Sequence, residues 1–205
     1  MIKRTTIALI FGFMMVASHS FAQDGGAAGD EIAAAAARIE TLVTELQTRA
    51  EGYPTFVAEL QEGLVTIEQA DERVAELIAS LREATTQLED ESEVDRAIDE
   101  YLSETLALIA EAEGSNIQII RDAIPALRDT AAALQASDQA RAAMVIEARN
   151  LIRTLEQDQD ALAFLIRANQ VQQAAALIAD NLSEFGDIID AGTLLSTSLL
   201  DTVPR

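Results

Sequence analysis

Residues 53–88, YPTFVAELQEGLVTIEQADERVAELIASLREATTQL, decide how this chain folds. Their apolar positions fall at Phe56, Leu60, Leu64, Ile67, Ala70, Val74, Leu77, Leu81, Ala84 and Leu88, each three or four residues from the last. That period lines one face of an α-helix, whereas a strand would alternate. The spacing predicts a long helix of roughly 50 Å at 1.5 Å per residue, whose stripe needs a long antiparallel neighbour or another chain to cover it. Gly63 is its weak point, because glycine inside a helix costs about 1 kcal/mol.

The same period extends upstream. Asp30 reads as an N-cap, followed by Ile32, Ala35, Ile39, Leu42, Val43, Leu46 and Ala50 on one face, with Gly52 and Pro54 closing the helix. Before it, residues 23–29 (QDGGAAG) have no apolar period and read as a flexible leader. Residues 1–22 have the three-part pattern of a signal peptide. Lys3 and Arg4 precede an apolar run from Ile7 to Ala17, and Ser20 and Ala22 stand three and one residues before a cut at Gln23. The apolar run is shorter than the ~20 residues that span a bilayer. The expected location is the periplasm.

Downstream, residues 89–93 (EDESE) are wholly polar and read as a turn, with Ser92 and Asp95 as a capping pair. A third stripe runs Val94, Ile98, Tyr101, Leu102, Leu106, Ile109 and Ala112, and stops at Gly114. Asn116 is expected to cap a fourth, which carries Ile117, Ile120, Ile124, Leu127, Ala131 and Leu134 and which Pro125 must kink or restart. Ser137 and Asp138 are expected to cap a fifth, with Met144, Ala148, Leu151, Ile152 and Leu155. The polar interval 156–160 is either a turn or a stutter in one long helix. Beyond it, Phe164, Ala168, Val171, Ala175, Ile178, Leu182, Phe185 and Ile189 make the cleanest heptad, and a leucine-rich tail follows over 191–205. The fold expected is all-α: an elongated antiparallel bundle or set of coiled-coil hairpins over 30–190, with about five to six helices.

Charge divides the bundle. The chain carries 35 acidic residues against 14 Lys and Arg, a net −21, which removal of Lys3 and Arg4 takes to −23. Residues 55–113 hold 17 acids and three Arg, or −14, while residues 116–179 hold seven acids and six Arg, or −1. Such a field repels nucleic acid and anionic lipid and favours basic partners, and the first half is its stronger side.

The chemistry available is narrow. There is no cysteine, His19 is the only histidine, and lysine occurs only at Lys3, so a chain cut before Gln23 has none of the three. Cys-His and Ser-His nucleophile pairs, imidazole-ligated metals, lysine Schiff bases and the P-loop are then all out of reach. Paired carboxylates can hydrolyse glycosides, but Tyr53, Phe56, Tyr101, Phe164 and Phe185 are few, and their helical spacing suits a core better than a sugar platform. Glu89, Asp90, Glu91 and Glu93, or Glu156, Asp158 and Asp160, are acid clusters without the glycine and distal glutamate of a calcium loop, and read as solvated turns. Arg121 with Arg128, and Arg149 with Arg153, each share a helix side; salt bridging to the acidic half is preferred over an anion clamp. No catalytic, cofactor-binding or metal residue is therefore assigned.

These observations predict a non-enzymatic, exported helical bundle that serves as a structural, scaffold or escort component of the bacterial cell envelope. Its expected partner is a protein of basic character, with no nucleic acid and no direct binding to anionic membrane. The alternative is a bundle that holds a small apolar or amphipathic ligand between its helices. The stripes permit both a monomer and a coiled-coil homo-oligomer.

Overall fold

The computed structural model describes residues 5–203, with side chains from Ala28 onward. Among the described residues seven helices follow one another: α1 (Thr5–Ala50), α2 (Tyr53–Gln61), α3 (Ile67–Leu88), α4 (Glu93–Gly114), α5 (Gln118–Asp122), α6 (Ile124–Arg167) and α7 (Val171–Thr202). No strand occurs among the described residues. The all-α bundle is as expected, with a helix count slightly higher. The side chains of the expected signal peptide, 1–22, lie outside the described residues.

Cross-helix contacts fix the directions. Arg82 pairs with Glu156 at 2.5 Å, Glu89 with Arg149 at 2.8 Å and Glu113 with Arg128 at 2.6 Å. As numbers rise along α3 and α4 they fall along α6, so α3 and α4 run the same way, end to end, both antiparallel to α6. Likewise Ser196 Oγ on α7 donates to the Ala36 carbonyl at 3.0 Å, and Gln172 Nε2 to the Gln61 carbonyl at 3.5 Å, so α1 and α2 form a second broken column antiparallel to α7. Ser137 and Ser198 share a hydrogen bond at 2.9 Å, and Asn181 Nδ2 donates to Asp158 at 3.1 Å, which sets α6 against α7. The result is an up-down-up-down bundle of four columns, α1–α2, α3–α4, α6 and α7. Its axis is filled by residues such as Ile39, Leu81, Leu134, Leu155 and Phe185, each at most 1 % exposed. Burying one such side chain contributes about 1.5–3 kcal/mol.

Each interruption has a local cause. The predicted helix over 53–88 breaks at Gly63, whose φ of +71° suits glycine. There the Leu64 N–H reaches the Glu59 carbonyl and the Gly63 N–H the Leu60 carbonyl, a Schellman closure of α2. Thr66 then opens α3 through a reciprocal capping box with Gln69. The Gly52–Pro54 break is milder. Ala50 and Tyr53 remain in helical phase, so α2 prolongs the direction of α1.

The turn at 89–92 exists, and Ser92 caps α4 by accepting from the Asp95 N–H at 3.1 Å. It does not reverse the chain. Leu88 and Val94 are six residues apart, and a continuous helix would rotate one from the other by roughly 240°. The break restores that phase, so both buried stripes face the same core.

Several expected boundaries move. Asp30 lies within α1 and starts no helix, and Ala28 and Gly29, at the end of the expected leader, are already buried. Ile117 precedes the five-residue α5, and α6 starts afresh with Pro125 in its first turn, where the missing N–H costs nothing. Ser137 and Asp138 cap nothing; both sit inside α6, and Ser137 is 2 % exposed on its core side. The interval 156–160 is not a turn: α6 runs through it as one long helix, the second of the two readings, with Glu156 tied to Arg82 and Asp158 to Asn181.

The heptad over 164–189 is instead interrupted at 168–170. Asn169 adopts φ +55°, and Gln170 and Asn169 donate to the carbonyls of Leu165 and Ile166, a second Schellman turn. Phe164 is consequently 63 % exposed, not core. The expected tail is the last part of α7, with Leu195 and Leu199 buried.

Candidate functional surface

The most elaborate polar arrangement surrounds Arg141, which is 3 % exposed in the middle of α6. Leu134, Ser137, Arg141 and Met144 follow one another on the buried side of that helix, so the guanidinium enters the core toward the α3–α4 break. There Nη1 donates to the Leu88 carbonyl at 2.5 Å, the last residue of α3. Nη2 pairs with Asp95, with Asp138 at 2.8 Å and with Asp90 at 3.3 Å. Asp95 also accepts from the Glu91 N–H at 2.8 Å, holding Glu91 at its positive φ of 66°. Burial opposes the charge on Arg141, but the hydrogen bonds it donates to Asp138 and the fields of Asp95 and Asp138 outweigh it and raise the pKa above the usual arginine value.

This cluster neutralises part of the acidic turn at 89–93. Arg149 takes Glu89, and Arg38 takes Glu93. The acids at 156–160 diverge toward Arg82 and Asn181, and no group of three acids among the described residues is placed to hold a metal ion. The arginine pairs are drawn apart in the same way. Arg128 is held by Glu113 and Arg149 by Glu89, while Arg121 bonds Gln118 and Arg153 bonds Asn150. Salt bridging to the acidic half, the preferred reading, describes Arg128 and Arg149; neither pair forms a clamp.

What α6 neutralises is the side of the α3–α4 column that faces it. The opposite side differs. Glu68, Glu72, Glu76 and Glu83 recur on the outward face of α3, all exposed, over about 22 Å of helix. Of these only Glu76 is in an ion pair among the described residues, with Arg73 at 3.4 Å, while the charge of Arg167 reaches Glu68. Glu68 is held below the usual carboxylate range, first by its own backbone N–H and then by the Thr66 hydroxyl, so it stays charged at neutral pH. Asp99 and Glu100 extend the acidic surface onto α4.

Cavities on the described surface are grooves between neighbouring helices. One of about 300 Å³ lies between α1 and α4, lined by Glu31, Ala34, Arg38, Glu93, Arg96 and Glu100, and one of about 500 Å³ lies between α6 and α7 beside Leu194. No buried side-chain nitrogen or oxygen among the described residues lacks a partner.

Sequence reasoning missed Arg141. Its signal was available: a charged residue at a stripe position of a helix marks a buried cation, and a buried cation requires acids beside it. Compared with known proteins, the chain matches no family model, no curated protein and no solved structure.

Proposed function

We propose that this protein is an exported, non-enzymatic helical bundle of the bacterial cell envelope that scaffolds or escorts a basic protein partner through its acidic α3–α4 face. The observation carrying this reading is the outward row Glu68, Glu72, Glu76 and Glu83, of whose four carboxylates only Glu76 is held in an ion pair among the described residues. Arg82, Arg128, Arg141 and Arg149 are spent on internal acids, which leaves the row's charge to a partner. A rigid row at helical spacing suits lysine or arginine side chains spaced along a partner helix, and complementary charge of this kind steers encounter and selects the partner.

The bundle closes its stripes within one chain, which favours a spacer or escort over a container. The grooves between helices are the part of the structure that favours the alternative, a module for a small apolar or amphipathic ligand. The two readings separate on affinity capture from the native envelope under low-salt and high-salt washes. The partner reading expects a basic protein released by salt; a co-purifying small molecule without any protein would contradict it and support the other.

A further inference from the structure

The outward side of α6 differs from the rest of this acidic surface. From Ile146 to Phe164 it presents Ile146, Asn150, Arg153, Gln157, Asp160 and Phe164, all exposed and spaced four and three residues apart. Their charges sum to zero in a chain at −21. Ile146 and Phe164, 57 % and 63 % exposed, are eighteen residues apart, which is five helical turns, so they stand on one line along the helix about 27 Å from each other. The face is open. α6 packs against α3, α4, α5 and α7, and α1 lies diagonally across the core from it, so this side looks away from α1.

The four residues between the two apolar ends decide what fits. Arg153 Nη1 donates to Asn150 Oδ1 at 3.2 Å, so the guanidinium lies across the stripe, and neither Arg153 nor Asp160 is in an ion pair among the described residues. Both lie on the same side of the Ile146–Phe164 line, within about 40° of it. A two-fold axis crossing the stripe at the level of Leu155, midway along it, lays a second α6 antiparallel on the first and keeps each side on its own side. Each Ile146 then meets the other copy's Phe164. Each Arg153 stands beside the other copy's Gln157, with that copy's Asp160 three residues, or about 4.5 Å, further along the same side, within the reach of an arginine. The face is thus complementary to itself in shape and charge, as an isologous interface requires. It is also where two strongly acidic copies repel each other least, whereas a basic partner is drawn to the α3 row.

We propose that the outward face of α6 between Ile146 and Phe164 is a self-association surface, on which a second copy of the chain docks antiparallel about a two-fold axis. Sedimentation equilibrium of the full chain tests it. A dimer is expected, with its Kd raised about tenfold or more by Ile146→Glu and, independently, by Phe164→Glu; both positions are exposed, so the fold tolerates them. Arg153→Asp should weaken the dimer, and adding Asp160→Arg should restore it. The chain has no cysteine, so its register can be read by cross-linking. Mixed under oxidising conditions, the single variants Ile146→Cys and Phe164→Cys should join to each other and neither to itself, since like positions lie about 27 Å apart across the axis. A monomer at every concentration, a dimer indifferent to both glutamate substitutions, no rescue by the charge swap, or cross-linking of Ile146→Cys to itself in place of the mixed product would overturn the proposal.

Discussion

Arg141 Nη1 donates to the carbonyl oxygen of Leu88 at 2.5 Å, so a side chain from the middle of α6 closes the C-terminus of α3. The same guanidinium reaches Asp95 in the first turn of α4. One residue thereby fastens both halves of a broken column to its unbroken neighbour.

Replacing Arg141 by Met is expected to destabilise the fold by about 3–5 kcal/mol, since it strands Asp95, 14 % exposed, and the Leu88 carbonyl without their cation. Lysine cannot reproduce the forked contacts and should rescue only part. Asp90→Asn, at a side chain 92 % exposed, should cost less than about 0.5 kcal/mol. Urea unfolding of the three variants reads this order directly.

At Gly192, α7 packs closely against both α1 and α6. A Cβ there would stand 2.7 Å from Val43 Cγ2 and 3.1 Å from Met144 Cε. Valine is too short and stiff to retreat, so Gly192→Ala should destabilise by about 1–3 kcal/mol despite alanine's better helix propensity. Combining it with Val43→Ala should cost less than the two single changes added together, as a double-mutant cycle by thermal or urea unfolding would show.

The two Schellman turns should respond oppositely to the same logic. Gly63→Ala forces a side chain into φ +71° and is expected to cost about 1 kcal/mol. Asn169→Gly, at φ +55°, should be near neutral. Equal losses at both sites would contradict the assignment of Gly63 as the conformational cause of the α2–α3 break.

Alkaline stability should depend on Tyr53. Its hydroxyl donates to the Arg73 carbonyl at 2.8 Å, and burial, aided by the charge of Glu76, pushes its pKa up from 10.0 to about 12. The unfolded tyrosine ionises first as pH rises, so the stabilisation is complete below pH 10.0 and is lost as pH climbs through about 12. Tyr53→Phe should remove up to about 2 kcal/mol of that pH-dependent loss while lowering stability at neutral pH by about 1 kcal/mol for the hydrogen bond. Tyr101, also raised by burial, acts in the same direction.

Helical period made most of the core legible: Val74, Leu77, Leu81, Ile98, Leu151 and Phe185 are all buried where the stripes place them. Period reports which face is covered, but not whether a break reverses the chain. At 89–92 the polar run showed that a break exists, whereas its role is carried by the phase between Leu88 and Val94. At 164–171 the stripe stays in phase across a true reversal, so Phe164 reads as core although the chain turns at Asn169. The polar run at 156–160 misleads for the opposite reason, because its partners Arg82 and Asn181 come from other columns and no local pattern announces them. The acidic half was visible as a count, while the division between its neutralised side and its open side required knowing that α6 lies against only one of them.

The central claim, that the outward carboxylates of α3 bind a basic protein, is tested most directly by the salt dependence of that binding. The partner captured from the envelope would be titrated against the wild type and against a variant carrying Glu68→Gln, Glu72→Gln, Glu76→Gln and Glu83→Gln. The account predicts that the wild-type Kd rises steeply with ionic strength, and that the variant binds at least about tenfold more weakly at low salt with a shallower slope. Equal affinity and equal slope for the two proteins would contradict it.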